Sequence, residues 1–231
     1  MSLIFPDRQA HLIEEMDRDD CEPVTLQNTY RQFSTINKLL SKWKNIYKQQ
    51  IRPLLKKGES YSLLDIGFGG GDLSIHLARW AQEDGIELNI TAIDTDERAY
   101  DYATETYPSD LVDWKHLSSS ELVAQNKSFD FVISNHLLHH LDNESLADLL
   151  HEATQLATKK VIFNDIERNG LGYLLFNIFS RLLFRNSYIT KDGLISIKRS
   201  FTHRELEALV PKGWQVYRVF PFRLVLSYEK D

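Results

Sequence analysis

The apolar run from Tyr61 to Ile66 passes through Gly67-Phe68-Gly69-Gly70-Gly71-Asp72 directly into a helical pattern. Glycine lets a backbone turn tightly and approach a ligand closely. In open α/β sheets a strand-to-helix turn of this kind is where ligands bind. A nucleotide P-loop needs Lys and then Ser or Thr after its glycines, but Asp72 and Leu73 follow here. A dinucleotide fingerprint, G-x-G-x-x-G, takes Gly67 and Gly69 and then meets Asp72 where its third glycine should stand. The carboxylates of Asp65 and Asp72 would also repel a pyrophosphate. The spacing that fits is D-x-G-x-G-x-G, carried by Asp65, Gly67, Gly69 and Gly71. It suits a zwitterion that presents positive charge. Glycines retained only for close packing are the alternative.

A second group of reactive side chains is Ser134-Asn135-His136-Leu137-Leu138-His139-His140, after the apolar run 128–134. An imidazole that titrates near neutrality can take a proton from a hydroxyl. His136 is the expected base and His139 its reserve, with packing or capping roles as the alternative. Three neighbouring histidines invite a metal, but there is no H-E-x-x-H spacing, and no carboxylate partner is assigned. Asn164 and Asp165 supply at most half of an oxygen-ligand site. No metal is expected.

With these two motifs in place, residues 61–165 and the end of the chain resemble the class I S-adenosylmethionine-dependent methyltransferases. The resemblance implies that Asp65, Gly67, Gly69 and Gly71 cradle the amino-acid part of the cofactor S-adenosylmethionine. Asp94, closing the next apolar run, would grip the ribose, and Thr95 and Asp96 would border the adenine. Leu117 and Ser118 would lie at the adenine edge, where many relatives carry an acid. Ser134 and Asn135 would reach the cofactor from the fourth strand, and the N-terminal helix near Tyr30 and Asn37 would close over it. A similar L-H-H-L is common among methyltransferases of quinones and small molecules. Members that methylate the amines of bases carry D/N-P-P-Y, whereas Ser134-Asn135-His136-Leu137 has no ring to stack a flipped base. The segment 191–206, through Asp192, Gly193, Leu194, Ser196, Arg199 and Phe201, resembles a bacterial group of methyltransferases for phenolic, polyketide or quinone-like compounds. A largely apolar or aromatic small molecule is the expected acceptor, and nucleic acid is not favoured. O-methylation of a phenol- or quinol-like hydroxyl is the expected reaction. The alternatives are an RNA or protein methyltransferase docking through a basic N-terminal helix, and a cofactor-binding protein without catalysis.

These residues need a scaffold. Apolar runs at 61–66, 88–94, 111–116, 128–134 and 159–164 alternate with helical patterns at 72–84, 97–106 and 143–157. Strand and helix in alternation imply a parallel sheet covered on both faces. Thr202 and Glu205 form a capping pair for a further helix, and residues 214–229 read as two strands around Pro221. The fold class is therefore α/β: a doubly wound, mostly parallel seven-stranded sheet with an antiparallel last strand. An N-terminal helical cap (1–58) precedes the Rossmann-like domain (59–231), and an insertion (168–200) covers the acceptor site.

In the cap, Phe33, Ile36, Leu40, Trp43, Tyr47 and Ile51 recur at helical spacing between Pro23 and Pro53, with lysines mostly opposite. One amphipathic helix is expected there. In the insertion, residues 171–184 are apolar on nearly every face. Such a helix wants burial on both sides, against the sheet and against an acceptor, a second subunit or a membrane surface. Arg168, Arg181 and Arg185 are candidates for anionic groups. The net charge of −6 argues against a dedicated nucleic-acid binder. The single cysteine excludes an internal disulfide. No leader is read in residues 1–10, and no apolar stretch approaches the roughly 18 residues that span a bilayer. A cytoplasmic enzyme is the expectation.

Overall fold

The computed structural model describes Phe5, residues 7–107 and residues 110–230; half of residues 1–10, on which the expectation about a leader rests, lies outside them. Seven strands among these residues form one sheet: β1 (Ser60–Ile66), β2 (Glu87–Asp94), β3 (Val112–His116), β4 (Phe129–Asn135), β5 (Ala157–Ile166), β6 (Gln215–Val219) and β7 (Arg223–Glu229). Their order is β3-β2-β1-β4-β5-β7-β6. β1 to β5 pair in parallel, and β7 runs antiparallel to both β5 and β6. The strands carry runs such as Leu63-Leu64 and Val132-Ile133, fully buried because both faces are covered. The strand order reverses between β1 and β4, so the glycine loop and Asn135-His136 emerge side by side at the switch point.

The N-terminal region departs from the expected single helix. α1 (Pro23–Ile36), capped by the Glu22 carboxylate, gives way at Asn37–Ser41 to a wide turn, and Lys42 adopts φ 59° before α2 (Trp43–Ile46). Periodicity cannot show this break, because Trp43, Tyr47 and Ile51 resume the buried face beyond it. The cause is local. Asn37 turns its amide into the sheet, and the Asn164 amide donates to the Ser41 carbonyl at 2.7 Å. Unwound turns of this kind often accompany functional sites.

α3 (Asp72–Glu83), α4 (Glu97–Thr106), α5 (Ser119–Ala124) and α6 (Asn143–Leu156) cover the faces between successive strands. Two buried clusters result, one on each side of the sheet. The N-terminal Tyr30, Trp43, Tyr47 and Ile51 share one cluster with Leu63, Leu77 and Ile90. The insertion folds as α7 (Gly170–Leu183) and α8 (Ile189–Arg199), followed by α9 (His203–Leu209) with the expected Thr202–Glu205 capping box. α7 is buried on one side only. Leu171, Leu174, Ile178 and Leu182 are at least half exposed.

Candidate active site

A cavity of about 920 Å³ opens at the carboxyl ends of the parallel strands, near the top of the usual range for small-molecule sites. One end is built by the glycine loop. Gly67 and Gly69 line it with φ 72° and 53°, a region that favours glycine. Gly71 has φ 76° but does not line the cavity. A Cβ there would lie 2.8 Å from the Trp114 ring, so this glycine serves the packing of β3 under the loop.

Asp65, buried at the end of β1, accepts from Ser74 Oγ at 2.6 Å. Its other oxygen, Oδ1, has no hydrogen-bond partner among the described residues. Burial, with the charges of Asp72 and Asp94 adding to it, lifts the Asp65 carboxyl to about 7. Burial likewise raises Asp72 to about 6, against a hydrogen bond from Asn37. Asp94 accepts from the backbone of Gly69 and Asp96, locking the second strand's end to the loop.

Thr95, Leu117 and Ser118 line the same end. Ser118 is occupied as the cap of α5, in a capping box with Glu121. Ser134 lies outside the lining; its hydroxyl donates to the Ile66 carbonyl and fastens β4 to β1. Tyr30 and Phe33 of α1 stand over the loop, where a Cβ on Gly70 would touch both residues.

His136 begins the other end. Its backbone has φ 63°, held by a hydrogen bond from its N–H to the Asn164 carbonyl. Left-handed backbone at a bulky residue is a strain that clusters at functional sites. Burial and the adjacent Arg223 guanidinium push its imidazole well below its ordinary pKa, so the ring is neutral. Arg223 Nη1 lies 3.3 Å from His136 Nε2. Burial also lowers Arg223, to about 10. The guanidinium is anchored on the side chains of Asn135 and Asn164. Asn135 in turn donates to Asn37, and Asn37 donates to Asp72. One chain of hydrogen bonds thus joins the glycine loop to His136.

His139 differs from the expectation of a reserve base. It is buried, with Nδ1 2.8 Å from Asp165 and Nε2 3.3 Å from Glu14. Burial works against its charge, but Asp165 and Glu14 outweigh this and lift it to about 9. An imidazolium at neutral pH has no lone pair to offer. Asp165 is held far below the usual carboxylate range by the same pair, again against its own burial.

The three candidate arginines lie elsewhere. Arg168 is buried against Ser200 and Glu205, Arg181 pairs with Asn177 on α7, and Arg185 stands outside the cavity lining. The cation that faces the cavity is Arg223, hidden in a terminal strand where spacing gives no signal. The segment 191–206 lines the cavity through Asp192, Gly193, Ser196 and Ile197 and has a second task besides. Asp192 accepts from the backbone of Glu15 and Met16, Ser196 donates to Glu14, and Phe201 stacks under Arg8. It is the seat of the N-terminal strand of chain.

Residues 63–160 match a family model described as a methyltransferase domain. Among solved structures, the chain is similar to a SAM-dependent methyltransferase from Aquifex aeolicus: TM-score 0.57 and 18% identity, over 89% of this chain and 97% of that one. The plantazolicin methyltransferase BpumL, in complex with a pentazolic desmethylPZN analog and SAH, aligns at TM-score 0.58 and 12% identity over 87% and 85%. The magnesium protoporphyrin IX methyltransferase ChlM from Synechocystis PCC 6803, with bound SAH, aligns at 0.51 and 14% over 87% and 84%. At such identities the likeness is one of fold. No curated protein matches the sequence.

Residues 63–160 match the methyltransferase-domain model, and the sheet around them has the class I architecture of S-adenosylmethionine-dependent methyltransferases. Within that class the chain is an enzyme with S-adenosylmethionine as its cofactor. The residues present fit it, since the unpartnered Asp65 Oδ1 is an acceptor suited to an ammonium group and the left-handed glycines leave the loop open.

Proposed function

We propose that this enzyme transfers a methyl group to the hydroxyl of a largely apolar, phenol- or quinol-like small molecule. The observation that carries the reading is the neutral His136 beside the Arg223 guanidinium in a chamber walled largely, though not wholly, by apolar side chains. Bound S-adenosylmethionine supplies a methyl group already activated by its sulfonium, so the protein's work is alignment and removal of one proton. Asp65, Gly67, Gly69, Asp94, Thr95, Leu117, Ser118 and Asn135 hold the cofactor end. Arg223 favours the acceptor's oxyanion, and His136 takes the proton. Burial and Arg223 make the imidazolium that forms more acidic than usual, so His136 passes the proton on to solvent. A general base in such a position contributes about 10²- to 10⁴-fold.

The shape of the chamber supports an apolar acceptor. Ile36, Leu39 and Leu40 of the broken N-terminal helix and Leu175, Phe179 and Leu183 of α7 line it. The outer stripe of α7 is left for an apolar partner, either a membrane surface or a second copy of the chain. No described helix is long and apolar enough to cross a membrane, and we place the enzyme in the cytoplasm. The absence of a stacking ring after β4 speaks against a nucleic-acid acceptor.

Incubation with methyl-labelled cofactor and a panel of apolar phenols and quinols, followed by mass spectrometry, tests the reading. A labelled methyl ether is expected. Label recovered only in RNA, in protein or on carbon overturns it.

A further inference from the structure

Beyond the methyl-transfer machinery, the cavity wall carries a cluster that the reaction above does not use. His139 Nε2 lies 3.3 Å and His140 Nε2 3.9 Å from one oxygen of Glu14. The ligand-type atoms of the three residues all fall within 4.8 Å of one another. We propose that Glu14, His139 and His140 form a binding site for a divalent transition-metal ion of the zinc type, open to the cavity.

Three features of the cluster carry this. Bonds of about 2.0–2.1 Å around a tetrahedral ion separate its ligand atoms by roughly 3.3 Å, which the Glu14–His139 spacing matches and the Glu14–His140 spacing approaches. Each imidazole is also backed through its other nitrogen: His139 Nδ1 lies 2.8 Å from Asp165, and His140 Nδ1 lies 3.1 Å from Asp17. A carboxylate behind each histidine is the usual outer shell of a metal ligand, fixing the ring so that Nε2 faces the ion. Charge agrees as well. Glu14, Asp17 and Asp165 bring three negative charges, and Arg199, 4.0 Å from Glu14 and 3.4 Å from Asp17, returns one. Arg8 and Arg223 act on Asp165 as well, so the negative charge of the cluster is concentrated at Glu14 and Asp17, beside the two imidazoles. Without the ion, a proton shared by His139 and Glu14 takes part of that role, and metal binding displaces it.

Imidazole with carboxylate selects zinc, iron(II) or cobalt(II) over magnesium or calcium. All three ligands line the cavity. The remaining coordination position therefore faces the acceptor chamber, where an oxygen donor can enter. The carboxylate comes from the N-terminal segment, seated by Ser196 and Asp192, so spacing around the histidines cannot reveal it.

The test uses the full chain, stripped with chelator and titrated with zinc chloride by calorimetry, and with cobalt(II) followed in the visible spectrum. One ion per chain is expected, with His140→Ala and Glu14→Gln each weakening binding at least tenfold. His151→Ala, on the exposed side of α6, should change nothing. Should Glu14→Gln fail to fold, the partly exposed His140 carries the test alone, with binding of S-adenosylhomocysteine reporting an intact glycine loop. Absence of stoichiometric binding, or binding indifferent to His140→Ala, overturns the proposal and leaves an ion-pair network that seats the N-terminus. Either outcome is independent of the methyl acceptor's identity.

Discussion

Arg223 Nη1 and His136 Nε2 stand 3.3 Å apart at the mouth of the switch between β1 and β4. Burial disfavours the charged ring, and a positive charge at that distance opposes a second one, so His136 stays neutral into the acidic range. Activity that needs the neutral ring should therefore keep its acid limb below the ordinary histidine pKa of about 6.5. Removing the charge with Arg223→Met should move that limb upward, though short of the ordinary value because burial, the larger cause, remains, whereas Arg223→Lys should leave it low. The pH–rate profile checks this, and NMR titration of the His136 ring gives the same shift without turnover.

Burial raises Asp65 to about 7 and Asp72 to about 6, while both titrate near 3.9 in an unfolded chain. Folding therefore takes up protons between about pH 4 and 7, and the cofactor-free protein should lose stability as pH rises through that window. The cofactor's ammonium favours the ionised Asp65. Affinity for S-adenosylhomocysteine should accordingly climb as pH rises through about 7. Melting curves across pH, with and without ligand, would show the two trends in opposite directions.

Asn37 is the point where the N-terminal helix meets the loop. It donates to Asp72 at 3.0 Å and accepts from Asn135 at 3.1 Å. Asn37→Leu removes both bonds, one to a carboxylate, a loss of about 1.5–3 kcal/mol. The dissociation constant for S-adenosylhomocysteine should rise roughly 10- to 100-fold, in keeping with that loss. An unchanged constant would mean that the helix does not close the cofactor end.

Two glycines with left-handed backbone separate strain from packing. Gly58 has φ 82° and nothing within 4 Å of an added Cβ, whereas at Gly71 the added atom meets Trp114 at 2.8 Å. Alanine at either position costs about 1 kcal/mol for the backbone, and at Gly71 overpacking adds about 1–3 kcal/mol. Thermal melts of Gly58→Ala and Gly71→Ala should differ by that added amount.

What the sequence discloses follows from how local each signal is. β1 to β5 and the helices α3, α4 and α6 are legible because buried parallel strands read as short apolar runs, with turn signals and longer helical patterns between them. The glycine loop and Asp94 are legible because their spacing is confined to one strand-helix-strand unit. α5 has a local mark too, since Ser118 and Glu121 stand at capping-box spacing, yet the helix is too short for its periodicity to stand out. Asn37 breaks a helix whose apolar spacing continues on both sides, so only tertiary hydrogen bonds reveal it. Arg223 and Glu14 come from the two ends of the chain to meet the histidines. His139 shows the same limit, because its imidazole belongs to Asp165 and Glu14 rather than to its neighbours in the chain.

The most direct test of the account compares methyl transfer and cofactor affinity in one preparation, wild type against His136→Gln. The expected result is a fall in turnover of about 10²- to 10⁴-fold with the dissociation constant for S-adenosylhomocysteine nearly unchanged. Turnover preserved in the variant, or lost only in step with affinity, would contradict the assignment of His136 as the group that takes the acceptor's proton.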